Sequence, residues 1–108
     1  MEDLINEALS SVGIDAYYLY RPNLLGENAV YTYTMKPIAY ADNEIKAFEY
    51  SILINIFVTL DKDISLIRDN VINAMQNRGF KLQQVPIPNK EKDFINIALR
   101  FKGAKFLR

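Results

Sequence analysis

Polar and apolar residues alternate most clearly between Tyr50 and Leu60, where the chain reads YSILINIFVTL. Because side chains alternate between the two faces of a strand, one face of this segment is wholly apolar and the other is mixed. The apolar face holds Tyr50, Ile52, Ile54, Ile56, Val58 and Leu60, and the mixed face holds Ser51, Leu53, Asn55, Phe57 and Thr59. This pattern predicts a central strand with helices on one face and with solvent or another subunit on the other.

The segment after this strand has the periodicity of an amphipathic helix. Apolar residues recur at helical spacing, and polar residues fill the opposite side. Asp61 or Asp63 can cap the start of the helix, and Gly79 can take the left-handed conformation that ends it. The apolar positions are Ile64, Ile67, Val71, Ile72 and Met75.

The chain before this unit begins with another amphipathic helix and a short strand. Apolar residues at helical spacing predict a helix from about Glu2 to Val12, which Gly13 ends. The aromatic-rich segment from Ile14 to Tyr20 predicts a strand, and Arg21-Pro22 stops it.

Two adjacent leucines lie in the polar loop that follows, over residues 22–28. Leu24 and Leu25 either fold back under the sheet or contact another chain, because apolar side chains in a polar loop need a surface to cover them. Both interpretations stay open from the residues alone.

A further strand is expected before the central one. The segment from Ala29 to Met35, AVYTYTM, alternates as a strand does, and Pro37 is expected to end or kink it. Asp42-Asn43 predicts a turn, and strand character resumes near Ile45. We expect this strand and the central strand to pair in antiparallel fashion.

Two more strands are predicted after the second helix. Phe80 to Val85 is a short strand that cannot continue normally through Pro86-Ile87-Pro88. A charged loop over residues 89–93 leads to a strand from Phe94 to Phe101. The final residues, KGAKFLR, are basic and are expected to fray.

The element order α-β-β-β-α-β-β predicts a single α+β domain over residues 1–108, with both helices on one face of a mainly antiparallel sheet. A chain of this length buries roughly 65% of its unfolded surface, enough to fold without disulfides. Its first residues, MEDLINEAL, lack the basic and apolar regions of a signal peptide. No apolar run approaches the roughly 20 residues of a membrane helix, so we expect a soluble protein with no membrane partner.

Charge is divided unevenly along a chain whose net charge is zero. Residues 1–50 hold eight acidic and three basic groups, and residues 51–108 hold five acidic and ten basic groups. Such a chain can place the acidic surface of one copy against the basic surface of the next in a head-to-tail ring. Scattered, solvated charge explains the same composition equally well.

The composition excludes several classes of site. With no histidine and no cysteine, neither a Ser-His-Asp nor a Cys-His arrangement can form, and the usual zinc ligand sets are absent. The four glycines are isolated, so the chain has no dinucleotide fingerprint and no P-loop. We therefore expect no cofactor and no enzyme activity.

Two further features of the sequence are explained better by packing than by a magnesium site or a nucleic-acid-binding surface. Glu49 and Asp61 lie at opposite ends of a strand that rises about 3.3 Å per residue, too far apart to share one magnesium ion. Six of the seven tyrosines lie on predicted strands, but a platform for stacking bases normally comes with a basic groove. The residues around these tyrosines are acidic or neutral, which favours sheet packing or a subunit interface.

The overall pattern resembles the small tail terminator, or tail completion, proteins of siphophages and prophages. The resemblance is carried by Gly13, Tyr40-Ala41-Asp42, Ala74-Met75, Gly79-Phe80 and Arg100-Phe101. It spans nearly the whole chain, but the long strand ends in FVTLDKD where a tryptophan-serine ending is expected in many relatives.

This resemblance implies structural work in the virion tail, after assembly in the host cytoplasm. It implies a homo-oligomeric ring, commonly a hexamer, that sits on the tail tube protein, stops its polymerisation and joins the head-neck connector protein. DNA would pass through the lumen without specific recognition. The residues expected at subunit or tube interfaces are Leu24, Leu25, Tyr31, Tyr33, Leu53, Phe57 and Ile87.

Two alternatives belong to other classes. One is a head-closure or neck protein of the same virion. The other is a non-viral regulatory module that binds a small ligand, because the same layered architecture hosts small sensory domains. The residues alone do not separate these three hypotheses.

Overall fold

The longest element of the protein is a 16-residue strand, β3 (Glu44–Thr59). The computed structural model describes residues 2–19, 28–84, 88–90 and 93–106. In chain order they form α1 (Glu2–Ser11), β1 (Asp15–Tyr18), β2 (Asn28–Ala41), β3, α2 (Ile64–Gln76), β4 (Lys81–Gln84), β5 (Asn89–Lys90) and β6 (Phe94–Phe106). The predicted α+β class with two helices is confirmed, and the two-residue strand β5 is an addition to the predicted order.

The strands form one sheet in the order β1-β2-β3-β6-β4, and β5 also pairs with β6. Only the β1–β2 pair is parallel among the described strands; the other pairs are antiparallel. The expected antiparallel pairing of the strands on either side of the Asp42-Asn43 turn is confirmed. As a result β3 lies in the middle of the sheet, with β2 along one side and β6 along the other.

The apolar face of β3 forms the centre of the core. Tyr50, Ile52, Ile54, Ile56 and Val58 are at most 6% exposed, and they belong to one cluster with the buried residues of both helices. The helices contribute Ile5, Ala8, Leu9, Val71, Ala74 and Met75. Because full burial of one such aliphatic side chain is worth about 1.5–3 kcal/mol, this row decides which face of the sheet the helices cover.

The local signals at the ends of α2 are confirmed. The side chain of Asp63 accepts a hydrogen bond from the backbone N–H of Leu66 at 3.1 Å, as an N-cap does. Gly79 has a φ of +88°, and the N–H of Phe80 donates to the carbonyl of Met75 at 3.2 Å to close the helix end. Asp61 instead accepts a hydrogen bond from the hydroxyl of Thr59.

Pro37 does not end its strand, because β2 continues to Ala41, but the register with β3 shifts directly after it, between Pro37 and Ala39, so an irregularity at this proline is confirmed. The carbonyl of Tyr31 accepts a hydrogen bond from the N–H of Leu19 at 3.0 Å, so the backbone of Tyr31 faces away from β3. The register between β2 and β3 is unbroken from Tyr31 to Pro37, and every second residue has the same orientation. The missing N–H of Pro37 therefore faces outward, where its loss removes no hydrogen bond to β3.

Two predictions for the last third of the chain are wrong. Strand β6 does not end at Phe101 but runs to Phe106, because its final residues pair with the first half of β3, from Tyr50 back to Ala47. Asn89-Lys90, expected within a loop, pairs with β6 as β5. In both cases the length of the neighbouring strand, rather than local polarity, decides where pairing ends.

The protein is elongated for its size. A compact chain of 108 residues has a radius of gyration of about 13 Å, whereas this chain has 15.1 Å and a longest dimension of 54 Å. A strand of 16 residues spans about 53 Å, so β3 runs the full length of the molecule. The β2–β3 hairpin therefore extends beyond the part of the sheet that the helices cover.

The contact between Gly103 and Phe80 yields a test of the packing between β6 and the end of α2. A Cβ on Gly103 would lie 2.6 Å from Cδ1 and 2.9 Å from Cε1 of Phe80, whose ring is buried. We expect Gly103→Ala to lower the free energy of unfolding by about 1–3 kcal/mol through overpacking, as measured by urea denaturation.

The matched control for this prediction is the same substitution with a smaller neighbour. Gly103→Ala should cost less in a Phe80→Leu background than in the wild type, because the clash is then relieved. An equal cost in both backgrounds would contradict the proposed contact.

Candidate interaction surface

The sheet face opposite the helices, here called the open face, carries the mixed side of β3. Leu53 and Phe57 lie on it and are partly exposed, as the alternation predicts. Phe57 packs edge-on against Phe94 of β6, with ring centroids 5.6 Å apart. Cross-strand neighbours of Leu53 are Thr32 on β2 and Arg100 on β6. Leu53 and Phe57 are therefore placed where a partner can reach them.

Tyr31 lies on the other face, in the core, and is 1% exposed. Its ring stacks on that of Tyr18 at 5.5 Å, and its hydroxyl donates to Oδ1 of Asn6 on α1 at 3.1 Å. A side chain with almost no exposed surface cannot form a subunit contact, so the assignment of Tyr31 to an interface is corrected here. The reason is that strand alternation puts Tyr31 opposite Ile54 of β3, which is also fully buried.

Tyr33 lies on the same side as Tyr31 but nearer the edge of the core. Its ring lies 5.4 Å from that of Tyr18 and 6.0 Å from that of Tyr50. Its hydroxyl donates to Oε2 of Glu2 at 3.3 Å. Most contacts of Tyr33 are thus internal, and its side chain ties α1 to β2.

Three of the predicted interface residues, Leu24, Leu25 and Ile87, lie outside the described residues. Of the charged loop predicted over residues 89–93, the described part comprises residues 89, 90 and 93. The structure therefore brings together Leu53 and Phe57 on the open face and places Tyr31 and Tyr33 on the opposite face.

One edge of β2 has no paired strand within the described part of the chain beyond Tyr31. β1 pairs only with Asn28 to Tyr31, whereas β2 runs ten residues further, to Ala41. From the orientation of Tyr31, the backbone N–H and C=O groups of Tyr33 and Met35 also face this edge. Unpaired edges of this kind are templates for pairing with another strand.

The end of the β2–β3 hairpin, residues 35–46, is here called the arm. It turns at Asp42 and Asn43, whose φ values of +52° and +65° suit the two-residue turn that matches strand twist. Four large apolar side chains of the arm are exposed: Met35 by 49%, Ile38 by 43%, Tyr40 by 64% and Ile45 by 37%. Exposed apolar clusters of this kind mark interaction sites more often than single exposed residues do.

A shallow groove of about 340 Å³ runs across the open face and is here called the cationic groove. Leu53 and the side chains of Thr32, Thr34 and Ser51 line it from β2 and β3. Arg100 and Lys102 line it from β6, and both are exposed.

The charges at this groove are poorly balanced. Lys81 of β4 is the direct cross-strand neighbour of Lys102, and like charges in that position repel. Lys102 forms an ion pair with Glu49, whose Oε1 lies 3.8 Å from its Nζ. Within the described residues, neither Arg100 nor Lys81 forms an ion pair. An anionic group from outside the domain would therefore be stabilised here.

Carboxylates do not gather into a metal site in the described part of the chain. No group of three or more acidic side chains lies close enough together there to hold a metal ion. Asp63 serves as the cap of α2, and the hydroxyl of Thr59 holds the pKa of Asp61 below its usual value.

Comparisons with known proteins add no family. No model of a known protein family matches the chain, and no curated protein matches it either. Among the described helices, none combines the length and the hydropathy that crossing a bilayer requires.

Three of these features are missed by sequence reasoning: the arm, the unpaired edge of β2 and the cationic groove. The signal for the arm is present in Tyr40 and Ile45, which flank the turn at equivalent positions and are both large and apolar. It is missed because Pro37 is taken as the end of the strand. The cationic groove is missed because Lys81 of β4 lies beside Lys102 of β6, and Arg100 beside Leu53 of β3, only through the register of the sheet.

The orientation of the β2 backbone can be tested with a pair of proline substitutions. Met35→Pro removes an N–H that faces the open edge, so it should lower the free energy of unfolding only a little. The native Pro37 lacks an N–H at this same edge. Thr34→Pro removes an N–H that faces β3, and it should cost at least about 1–3 kcal/mol through the orphaned carbonyl on the partner strand. Thermal and urea denaturation of both variants measure the difference. Equal destabilisation by the two prolines would show that the assigned orientation is wrong.

The environment of Tyr31 predicts a loss of stability at alkaline pH. Burial, reinforced by the nearby charge of Glu2, raises the pKa of Tyr31 to about 12 from the usual 10.0. The folded state therefore keeps the neutral phenol while the unfolded chain ionises. This contribution to stability is complete below pH 10 and is lost as pH rises towards about 12.

We expect the free energy of unfolding to fall over this range, and Tyr31→Phe to make the fall shallower. Urea denaturation between pH 9 and 12 measures the slope. A slope that the substitution leaves unchanged would contradict the assigned environment of Tyr31.

Proposed function

We propose that this protein is a structural subunit that assembles with copies of itself, and that the assembly is the ring that ends a phage tail tube. In this proposal the ring sits on the tail tube protein, stops its polymerisation and offers the surface to which the head-neck connector protein joins. The chain acts by contact and not by catalysis.

The observation that carries the proposal is the arm together with the unpaired edge of β2. A monomer that keeps apolar side chains such as Ile38 and Tyr40 in water, beside unpaired backbone groups, carries the features of an unfilled interface. Pairing with another chain would satisfy both the apolar side chains and the backbone groups of Tyr33 and Met35. A subunit built for assembly explains both features at once.

Two further features support the proposal. The resemblance to tail terminator proteins covers nearly the whole chain, from Gly13 to Arg100-Phe101. The acidic first half and the basic second half also place opposite charges on different parts of the fold, since Asp42 and Glu44 lie on the arm and Arg100 and Lys102 line the groove. Opposed charge steers copies into one orientation and suppresses others.

The proposal predicts a concentration-dependent, closed oligomer. Light scattering of the purified protein, repeated at high concentration and with the tail tube protein present, should detect rings of fixed mass, because head-to-tail contacts that close produce one size. The proposal would be contradicted if the protein is monomeric under all of these conditions and leaves tube length uncontrolled.

Deleting the gene for this protein from a phage separates tail termination from head closure. Particles that lack this protein should carry over-long tail tubes if the chain ends tube polymerisation. Tubes of normal length, together with heads that leak DNA, would assign the chain to the neck instead.

A further inference from the structure

We infer that the arm of one copy docks in the cationic groove of the next copy. The inference rests on the proposed function, self-assembly, and identifies the two surfaces that meet. Among the described residues, the arm projects from the sheet, and the cationic groove offers basic side chains beside an apolar one.

The arm as a whole has no net charge, because Lys36 and Lys46 balance Asp42 and Glu44, so its charge complementarity to the groove is carried by Asp42 at the tip. Asp42 and Glu44 lie at the tip, and the side chain of Glu44 is 74% exposed even though it pairs with Lys46 at 3.0 Å. Arg100 and Lys81 have no ion pair within the described residues, so their charges are available to a second chain. Carboxylates from outside would also relieve the repulsion between Lys81 and Lys102 across the β4–β6 pair.

The two surfaces also match in their apolar parts. Behind the acidic tip, Tyr40 and Ile45 are direct cross-strand neighbours and form one exposed apolar pair. In the groove, Leu53 lines the same cavity as Arg100 and Lys102, and it is the direct cross-strand neighbour of Arg100. In the contact, the apolar pair of the arm with its acidic neighbours therefore packs against Leu53 of the groove with its basic neighbours. This match allows one orientation of the two copies.

The contact cannot form within one copy. Glu44 and Leu53 lie on the same strand, nine residues apart, which is about 30 Å in extended conformation. The intervening residues of β3 are paired to β2 throughout, and from Ala47 onward they are paired to β6 as well. The arm can therefore reach a groove only on another molecule.

A contact between two different surfaces is heterologous. Each copy uses its arm on one neighbour and its groove on the other, so the contacts generate a closed ring or an open filament. Because each copy carries one arm and one groove, a variant with an altered arm should still bind a variant with an altered groove through the one intact arm and the one intact groove.

The test uses two variants that each disable one side. The groove variant is Arg100→Glu with Lys102→Glu, and the arm variant is Asp42→Asn with Tyr40→Ser, which removes the charge of the arm without reversing it, so that the altered arm cannot pair with the altered groove. These four side chains are exposed, so the fold should be retained, which circular dichroism checks. Lys62→Glu with Lys90→Glu is the matched control for the groove variant, because it changes the net charge equally at exposed positions outside the groove.

The expected result is specific to a head-to-tail contact. Alone, each variant should lose assembly, and the control should assemble as the wild type does. Mixed in equal amounts, the two variants should form dimers and nothing larger, because one intact arm meets one intact groove and the remaining sites are disabled. Light scattering after size-exclusion chromatography measures the masses.

Other outcomes overturn the inference in distinguishable ways. If both variants still assemble, the inferred arm-in-groove contact is contradicted, but the proposed function is not. A mixture that stays monomeric, or that forms assemblies larger than dimers, also contradicts the contact. Loss of binding to a labelled DNA duplex by a groove variant that still assembles would assign the groove to a polyanion. A wild-type protein that never assembles would remove the proposed function itself.

Discussion

The fold depends on one constraint, the difference between the two faces of β3. Its five buried residues from Tyr50 to Val58 require a cover, and both helices provide it on the same side. Because both helices cover the face with these residues, neither covers the opposite face of the sheet. The open face with Leu53, Phe57 and the cationic groove is therefore a consequence of how the core is built.

The length of β3 has a second consequence. The strand spans the 54 Å of the molecule, but the two helices are too short to cover a sheet of that length. β2 follows β3 out to the turn at Asp42-Asn43, and it passes Pro37 because the proline faces the outer edge. The arm is stable as an extension of the sheet, yet it carries apolar side chains that nothing in the described residues covers.

The part of the structure that could be predicted from the sequence is the part decided by periodicity. Alternation along residues 50–59 correctly assigns the two faces of β3, whereas Leu60, expected on the apolar face, lies past the end of the strand and is exposed. The cap at Asp63 and the end at Gly79 follow from local chemistry. The extents of β2 and β6 could not be predicted, because they depend on pairing with β3. A proline ends a strand only when its nitrogen faces the partner, and that orientation is set by the register.

The candidate surface was predictable to a similar degree. Leu53 and Phe57 follow from alternation, whereas Tyr31 was assigned to an interface because tyrosine suits both cores and contacts. The groove required knowledge of which strands are neighbours, since Arg100 of β6 meets Thr32 of β2 only through Leu53. Charge asymmetry between the two halves of the chain fits two opposed surfaces and scattered, solvated charge equally well, and it gives no position for either.

The central claim is that assembly places the arm of one copy in the groove of another, and cysteine cross-linking tests it most directly. The chain has no cysteine, so each introduced thiol reports a single position. Asp42→Cys at the tip of the arm and Thr34→Cys in the groove should form a disulfide when the two single variants are mixed under mild oxidation. Each variant alone should form none, and the double variant should form a ladder of covalent multimers. Cross-links between two copies of Asp42→Cys, or assembled protein without any link between the two positions, would contradict the account.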